Sequence, residues 1–538
     1  MHISHGGRLM VTTAVVLAVV LSACSVPRPG TDDTKAGARP GAVTTQPVDP
    51  VTQAGTGADE VGWVKRENAK PGSRAWQFTA AVLADGNQLA GYADHVSVQA
   101  GDPLSLYVTT TAVSFTVNAF RLGWYGGDKA RLVWTSPSVP GQVQAPAVTE
   151  VDRMVTTHWA PSTTVDTAGW PEGTYLLLLT DSRGLKKYVP LTVRSHSVVD
   201  RLVLLNAVTT YQAYNAWGGH SLYDVPAPNV RTRSSRVSFD RPYEGNGARI
   251  ITQYELPVIA EAERADLPLA YLTSMELDAD PQALKGALGL VSLGHDEYWT
   301  VGMRRTATAA RDAGTNLAFL GANSVYWRIR LEPSALGSDR VVVGYKSAAS
   351  DPVTNDASTT TMWRDFPKPL AENSLLGMLY ECFPARGALV VTDPGFFLFR
   401  GTNARKGTRY AGLVGTEIDR AYPVPGTPDN LQVVAHSPVV CGGYLHTHSD
   451  VTYYSTSSGA GVFAVGTMLW STALRGPSAA YGIDSRSSSF ARRVTGNLFT
   501  AMAAGPMGAA HPARGNLASL DVPAGSETGT GGALAPAQ

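Results

Sequence analysis

The 538-residue chain lacks an excess of charge of either sign: 44 Lys+Arg stand against 44 Asp+Glu, for a formal net charge of +0. That balance argues against a protein that coats nucleic acid or clings to anionic membrane through a basic patch. Charged residues are also few, at 16%. The only cysteines are Cys24, Cys382 and Cys441, with no CxxC pair, which excludes a zinc ribbon, an iron–sulfur cluster or a disulfide-stapled scaffold. The apolar run at residues 9–20 is too short for a comfortable membrane span. What the chain does have is 44% hydrophobic residues, 54 Gly and 34 Pro. It can bury large cores while spending many residues on turns, as sandwiches and α/β sheets do, and at this length two or more domains are expected.

At the N-terminus Arg8 precedes the apolar run, which closes on Leu21, Ser22, Ala23 and Cys24. This reads as a secretory signal over residues 1–23. The small residues before Cys24 resemble the lipobox of bacterial lipoproteins, which implies cleavage there, lipidation of the Cys24 thiol and an extracytoplasmic protein held to the cell membrane only by that lipid. Residues 24–73 read as a disordered tether and residues 505–538 as a disordered tail, because Gly, Pro, Thr and Ala dominate there and little can be buried. In an oxidising compartment Cys382 and Cys441 could form a disulfide, a pairing the sequence leaves open.

Residues 74–196 hold short β-rich runs, at 104–110, 115–122, 174–180 and 188–193, separated by Gly, Pro, Asp and Ser. Their even spacing suggests an Ig-like β-sandwich. Trp124 and Tyr125 beside Gly126 and Gly127 are read as packing at a domain interface rather than as a ligand platform.

From residue 197 to 504 the pattern becomes alternating strand and helix: strands at 202–208, 267–273, 288–293 and 316–321, helices at 257–264 and 303–313. Strands apolar throughout, with helices between them, predict a parallel sheet covered on both faces. Ligands of such sheets bind beyond the carboxyl ends of the strands. Three of these ends carry polar residues: Tyr211, Tyr214, Asn215 and Tyr223 after the first, His295, Asp296 and Glu297 after the third, and Asn323 with Tyr326 and Trp327 after the fourth. In extended backbone His295 and Glu297 point to one face, as a ligand and an acid/base would, while Asp296 faces away and is read as a cap for the following helix.

These stretches taken together resemble the C-terminal domain of the large (beta) subunit of N,N-dimethylformamidase and lipoprotein-like relatives that share it. The similarity spans residues 87–470. It is carried by Gly91-Tyr92-Ala93-Asp94, Gly123-Trp124-Tyr125-Gly126-Gly127, Tyr211-Gln212-Ala213-Tyr214-Asn215, Ser221-Leu222-Tyr223, Gly294-His295-Asp296-Glu297-Tyr298-Trp299, Leu320-Gly321-Ala322-Asn323 and Tyr326-Trp327-Arg328-Ile329. The resemblance implies a glutamine-amidotransferase-like (flavodoxin-like) α/β fold and a mononuclear iron held by two tyrosinates and a glutamate. By motif these are Tyr214, Tyr223 and Glu297, with Tyr254 competing for the second phenolate and His295 and Asn323 beside the metal or substrate. An all-oxygen anionic set suits a hard, highly charged ion, Fe(III) rather than zinc or copper. The implied reaction is hydrolysis of a small amide or related C–N bond by water activated on the metal, with His295 as proton acceptor, Asn323 orienting the carbonyl or stabilising the oxyanion, and Glu417 a further acid/base or else a partner of Arg420 or another cation.

The chain departs from the amidase in its lipoprotein signal and in showing no sign of a small partner subunit; its oligomeric state is open. No thiol follows the third strand, which argues against a cysteine-based amidotransferase. His446 and His448 alternate as two ligands on one strand face would, but with no third ligand at recognisable spacing they read as exposed loop histidines. Residues 458–461 form a flexible turn, not a phosphate loop, and residues 451–454 and 462–470 are strand-like before a closing helix at 490–503. The rival to a metallohydrolase is a non-catalytic cell-envelope lipoprotein that binds a polymer or carbohydrate.

Overall fold

A computed structural model describes residues 62–224 and 232–520. Cys24, the signal, most of the tether and the last part of the tail lie outside the described residues.

The protein is a mixed α/β chain. In its front half the strands Leu89–Ala93, Pro103–Thr110 and Thr163–Asp166 form one sheet, and a second sheet is built on Ser97–Val98, Lys186–Val193, Gly173–Asp181, Ser114–Leu122 and Ala130–Thr135. Side chains alternate across a strand, and here both sets are apolar. Val117, Tyr175, Leu177 and Leu179 pack inward against Leu104, Leu106 and Val108 of the first sheet. Phe120, Leu122, Leu176 and Leu178 turn the other way and pack against Ala207, Val208, Tyr211 and Ala213 of the back half. The larger sheet is therefore buried on both faces, which is why residues 174–180 read as a continuous β-rich run.

The back half is organised by a nine-stranded sheet. Its first five strands, in spatial order Leu269–Thr273, Leu202–Asn206, Gly289–Ser292, Asn316–Phe319 and Gly461–Ala464, are parallel. Four longer strands, Leu445–Ser455, Gln432–Cys441, Leu379–Val390 and Arg409–Arg420, continue it in antiparallel order. Leu202 and Leu204 join a core with Val258 and Ile259 of the helix Leu256–Arg264 and with Val494 and Leu498 of the helix Ser485–Ala503. Val203 and Leu205 join the opposite core with Met303 and Ala307 of Val301–Asp312. Helices thus cover both faces of the parallel part, as the apolar runs require.

Several boundaries differ from the sequence expectation. The first strand stops at Asn206 and Val208 already opens the helix Val208–Tyr214; both segments are buried, so the apolar run does not mark the junction. For the same reason residues 462–470 are a strand only to Ala464, followed by the helix Leu469–Arg475. The tether expectation to residue 73 fails in its last part: Trp63–Asn68 is a helix whose Trp63 and Val64 lie in the main core. The tail is ordered through the helix Met507–Ala510, with Met507 buried, to residue 520. Cys382 and Cys441 are joined in a disulfide. Asp296 does not cap a helix: it accepts the Trp299 indole N–H at 2.7 Å, and Thr300 caps Val301–Asp312 by accepting the Met303 N–H. His448 is not a loop residue but buried within the strand Leu445–Ser455, with His446 exposed at its start. No helix of the described residues is long and apolar enough to cross a membrane.

Candidate metal centre

The carboxyl ends of the parallel strands bring the predicted residues to one place. Tyr214 is the last residue of the helix after the first strand, His295 and Glu297 lie in the turn after Gly289–Ser292, and Asn323 follows Asn316–Phe319. The turns are held by backbone. Thr210 Oγ1 accepts the Glu297 and Tyr298 N–H groups at 3.1 and 3.3 Å, and the Glu297 carbonyl accepts those of Tyr326 and Trp327 at 2.9 Å. Gly321 is required by close approach, because a Cβ there would lie 1.7 Å from the Gly294 carbonyl oxygen.

Around Glu297, which is 1% exposed, three hydroxyl or ring donors converge. Tyr214 donates to Oε2 at 2.7 Å, and Tyr223 stands 2.7 and 2.9 Å from the two carboxylate oxygens. The two phenol oxygens are 2.9 Å apart, and their rings stack with centroids 4.5 Å apart. His295 Nε2 is 2.9 Å from the Tyr214 oxygen and 3.7 Å from Glu297. Tyr254 is not part of this knot. Its ring stands edge-on to His295, 5.7 Å between centroids, and its hydroxyl is bonded to Gln253.

Glu417 comes from the antiparallel strand Arg409–Arg420. It does not pair with Arg420, whose guanidinium is 3.6 Å from Glu381 instead. Burial first, and then the charge of Glu297, push the Glu417 carboxyl up to about 8, against the pull of the Asn323 amide. Glu417 Oε2, Asn323 Oδ1 and His295 Nδ1 are buried without a hydrogen-bond partner. Both phenols are raised well above 10, by burial and then by Glu297, and burial raises Glu297 itself. Burial, with Arg249 adding to it, lowers His295 to about 3, so its ring is neutral at pH 7.

Two neighbours escaped the sequence reading. Lys346 Nζ sits over the Tyr223 ring at 3.6 Å and within 4.8 Å of the Trp327 ring centre, and burial lowers its amine to about 7 despite the pull of Glu297. Asp419 accepts the Asn323 N–H at 2.8 Å and is raised to about 7 by burial. Lys346 is a lone lysine in a loop, with no pattern around it to mark it. Two surface clefts, of about 320 and 420 Å³, lie elsewhere and border none of these residues.

Fold and site define a mixed α/β protein with a buried phenol–carboxylate knot at the ends of its parallel strands. A family model, N,N-dimethylformamidase beta subunit-like, C-terminal, matches residues 116–484, and the chain belongs to that family. None of the curated proteins matches it. Among solved structures it is similar to a Paenibacillus sp. cycloisomaltooligosaccharide glucanotransferase complexed with cycloisomaltoheptaose, at 10% identity and a TM-score of 0.15, over 48% of this chain. The match spans about a third of that enzyme (34%), and so slight a likeness carries no weight for fold or function.

Proposed function

We propose that the protein is a metal-dependent hydrolase of a small amide or related C–N bond, with one ferric ion held by Tyr214, Tyr223 and Glu297. Membership of the dimethylformamidase-like family suggests the hydrolase. The observation that carries the metal is the packing of two phenol oxygens and a carboxylate within 2.9 Å of one another. All-oxygen donors that become anionic suit a hard cation. When bound, ferric iron supplies Lewis acidity toward water and a carbonyl oxygen.

The chain's own residues do the rest. Neutral His295 holds a free ring nitrogen ready for a proton from water, and Glu417, protonated near neutral pH, is placed to hand one to a departing amine. The Asn323 amide orients the substrate carbonyl. The same reading takes the front half as an Ig-like sandwich and the back half as glutamine-amidotransferase-like, and the Cys382–Cys441 disulfide suits an oxidising compartment.

Metal analysis and visible spectroscopy of the purified protein test the proposal. Iron near one per chain, a tyrosinate-to-iron absorption band lost in Tyr214→Phe, and amine release from small amides are expected. Colourless protein that takes up no ferric iron would overturn it.

A further inference from the structure

A second constellation lies on the antiparallel part of the large sheet and plays no part in the proposed hydrolysis. His436 and Asp450 are direct partners across the strands Gln432–Cys441 and Leu445–Ser455, and His448 stands two residues before Asp450, opposite Pro438. The period of two puts all three side chains on one face of the ladder. His436 Nδ1 is 2.7 Å from Asp450 Oδ1, His448 Nε2 is 3.8 Å from Asp450 Oδ2, and the imidazole centres are 3.9 Å apart. One ligand atom from each residue lies within 4.8 Å of the others.

The decisive atom is His448 Nε2. The residue is 7% exposed, and this nitrogen has no hydrogen-bond partner although it points into a polar cluster. A buried polar atom left this way costs about 1–3 kcal/mol, so such atoms call for an explanation. Asp450 is oriented from behind by the Ala421 N–H at 2.8 Å, the kind of outer contact that fixes a metal-binding carboxylate. The nearby Arg420 opposes a cation there, and Glu381 stands 3.6 Å from its guanidinium.

We propose that His436, His448 and Asp450 bind a zinc-class divalent cation, with water in the fourth position reached past the partly exposed His436. Two imidazoles and a carboxylate are a familiar zinc set. Their nitrogen donors separate this site from the oxygen-only knot around Glu297, so the two select different metals. Tetrahedral bonds of about 2.0–2.1 Å set donors about 3.3 Å apart. With Asp450 Oδ1 as the carboxylate donor, His436 parts slightly from 2.7 Å, and the His448 ring, 3.8 Å from Oδ2, turns toward the same point.

Chelator-stripped, purified protein titrated with Zn²⁺ by calorimetry, and with Co²⁺ followed by its visible ligand-field band, tests this. One zinc per chain is expected, retained in Tyr214→Phe. His448→Gln and the milder, more exposed His436→Asn should each weaken it by more than about 100-fold, beyond what loss of an outer contact costs. No zinc uptake by the wild-type chain, uptake unchanged in folded His436→Asn, or uptake lost in Tyr214→Phe but kept in His448→Gln would overturn the site.

Discussion

Glu263→Gln tests whether the two halves of the protein stand or fall together. Arg121, on the strand Ser114–Leu122, is completely buried and turns two guanidinium nitrogens toward Glu263 of the helix Leu256–Arg264, itself without exposed side-chain surface. Arg121 Nε donates to the Glu172 carbonyl at 2.7 Å, and Nη1, shared with Glu263, also faces the Leu122 carbonyl at 3.2 Å and the Tyr125 hydroxyl at 2.8 Å. Glu263 also accepts from Asn68 at 3.0 Å and from the Tyr271 hydroxyl. Glutamine keeps the shape but removes the charge and presents an NH₂ to a ring of donors. Stranding a buried cation this way costs about 3–5 kcal/mol, a large share of the roughly 5–15 kcal/mol that holds a protein folded. The double change Arg121→Met with Glu263→Leu should recover much of that loss, since an apolar pair escapes the desolvation cost. Guanidinium unfolding followed by tryptophan fluorescence and by far-ultraviolet circular dichroism reads both effects. A single-variant loss below about 1 kcal/mol, or a double variant no better than Glu263→Gln, would refute the reasoning.

Gly123→Ala should destabilise by a comparable amount, because a Cβ there would lie 2.1 Å from Glu263 Oε2; its effect should be strongly non-additive with Glu263→Gln in a double-mutant cycle. Glu67 sets an acid limb on stability. Burial raises its carboxyl, but Arg121, Arg131 and Lys70 outweigh burial and bring it from 4.5 to about 2. The folded state thus holds the proton less tightly than the unfolded chain, so the stabilisation is full above pH 4.5 and fades as pH falls toward 2. It amounts to about 3 kcal/mol at 1.36 kcal/mol per pKa unit, and Glu67→Gln should flatten that limb in urea titrations between pH 2 and 6. At the proposed metal centre, Tyr223→Phe should abolish the expected iron absorption band while Tyr254→Phe keeps it; a band that follows Tyr254 instead would reassign the second phenolate. Glu417→Gln should leave iron content unchanged and lower kcat by about 10²–10⁴ in an amine-release assay.

Residues 202–205 show why the parallel core was readable: each neighbour goes to an opposite, equally apolar face, and such runs leave little choice of architecture. Because ligands gather beyond such strands, Tyr214, His295, Glu297 and Asn323 could be picked out from their place after them. Tyr223 and Glu417 needed more. Tyr223 also lies in the stretch after the first strand, but only the resemblance marked it as a ligand, and Glu417, on an antiparallel strand, was reached by weighing a lone carboxylate. The antiparallel strands gave weaker signals; Leu379–Val390 is partly or fully exposed along most of its length, with only two buried residues and no regular alternation. The histidine site fails in sequence for a different reason. His448 and Asp450 are neighbours in the chain, but His436 joins them only through pairing register, which no spacing rule records. Trp63 and Val64 were legible as large apolar residues in a polar stretch, yet composition averaged over residues 24–73 hid them.

The sheet that is apolar on both sides constrains how this gene can be cut or recombined. Separating the chain near residue 196 would strip cover from Phe120, Leu122, Leu176 and Leu178 on one fragment and from Val208, Tyr211 and Ala213 on the other, beneath the very helix that ends at Tyr214. Each fragment would present a sticky hydrocarbon wall. A front module of this kind is therefore inherited with its neighbour and cannot be shuffled between unrelated proteins like a bead on a string.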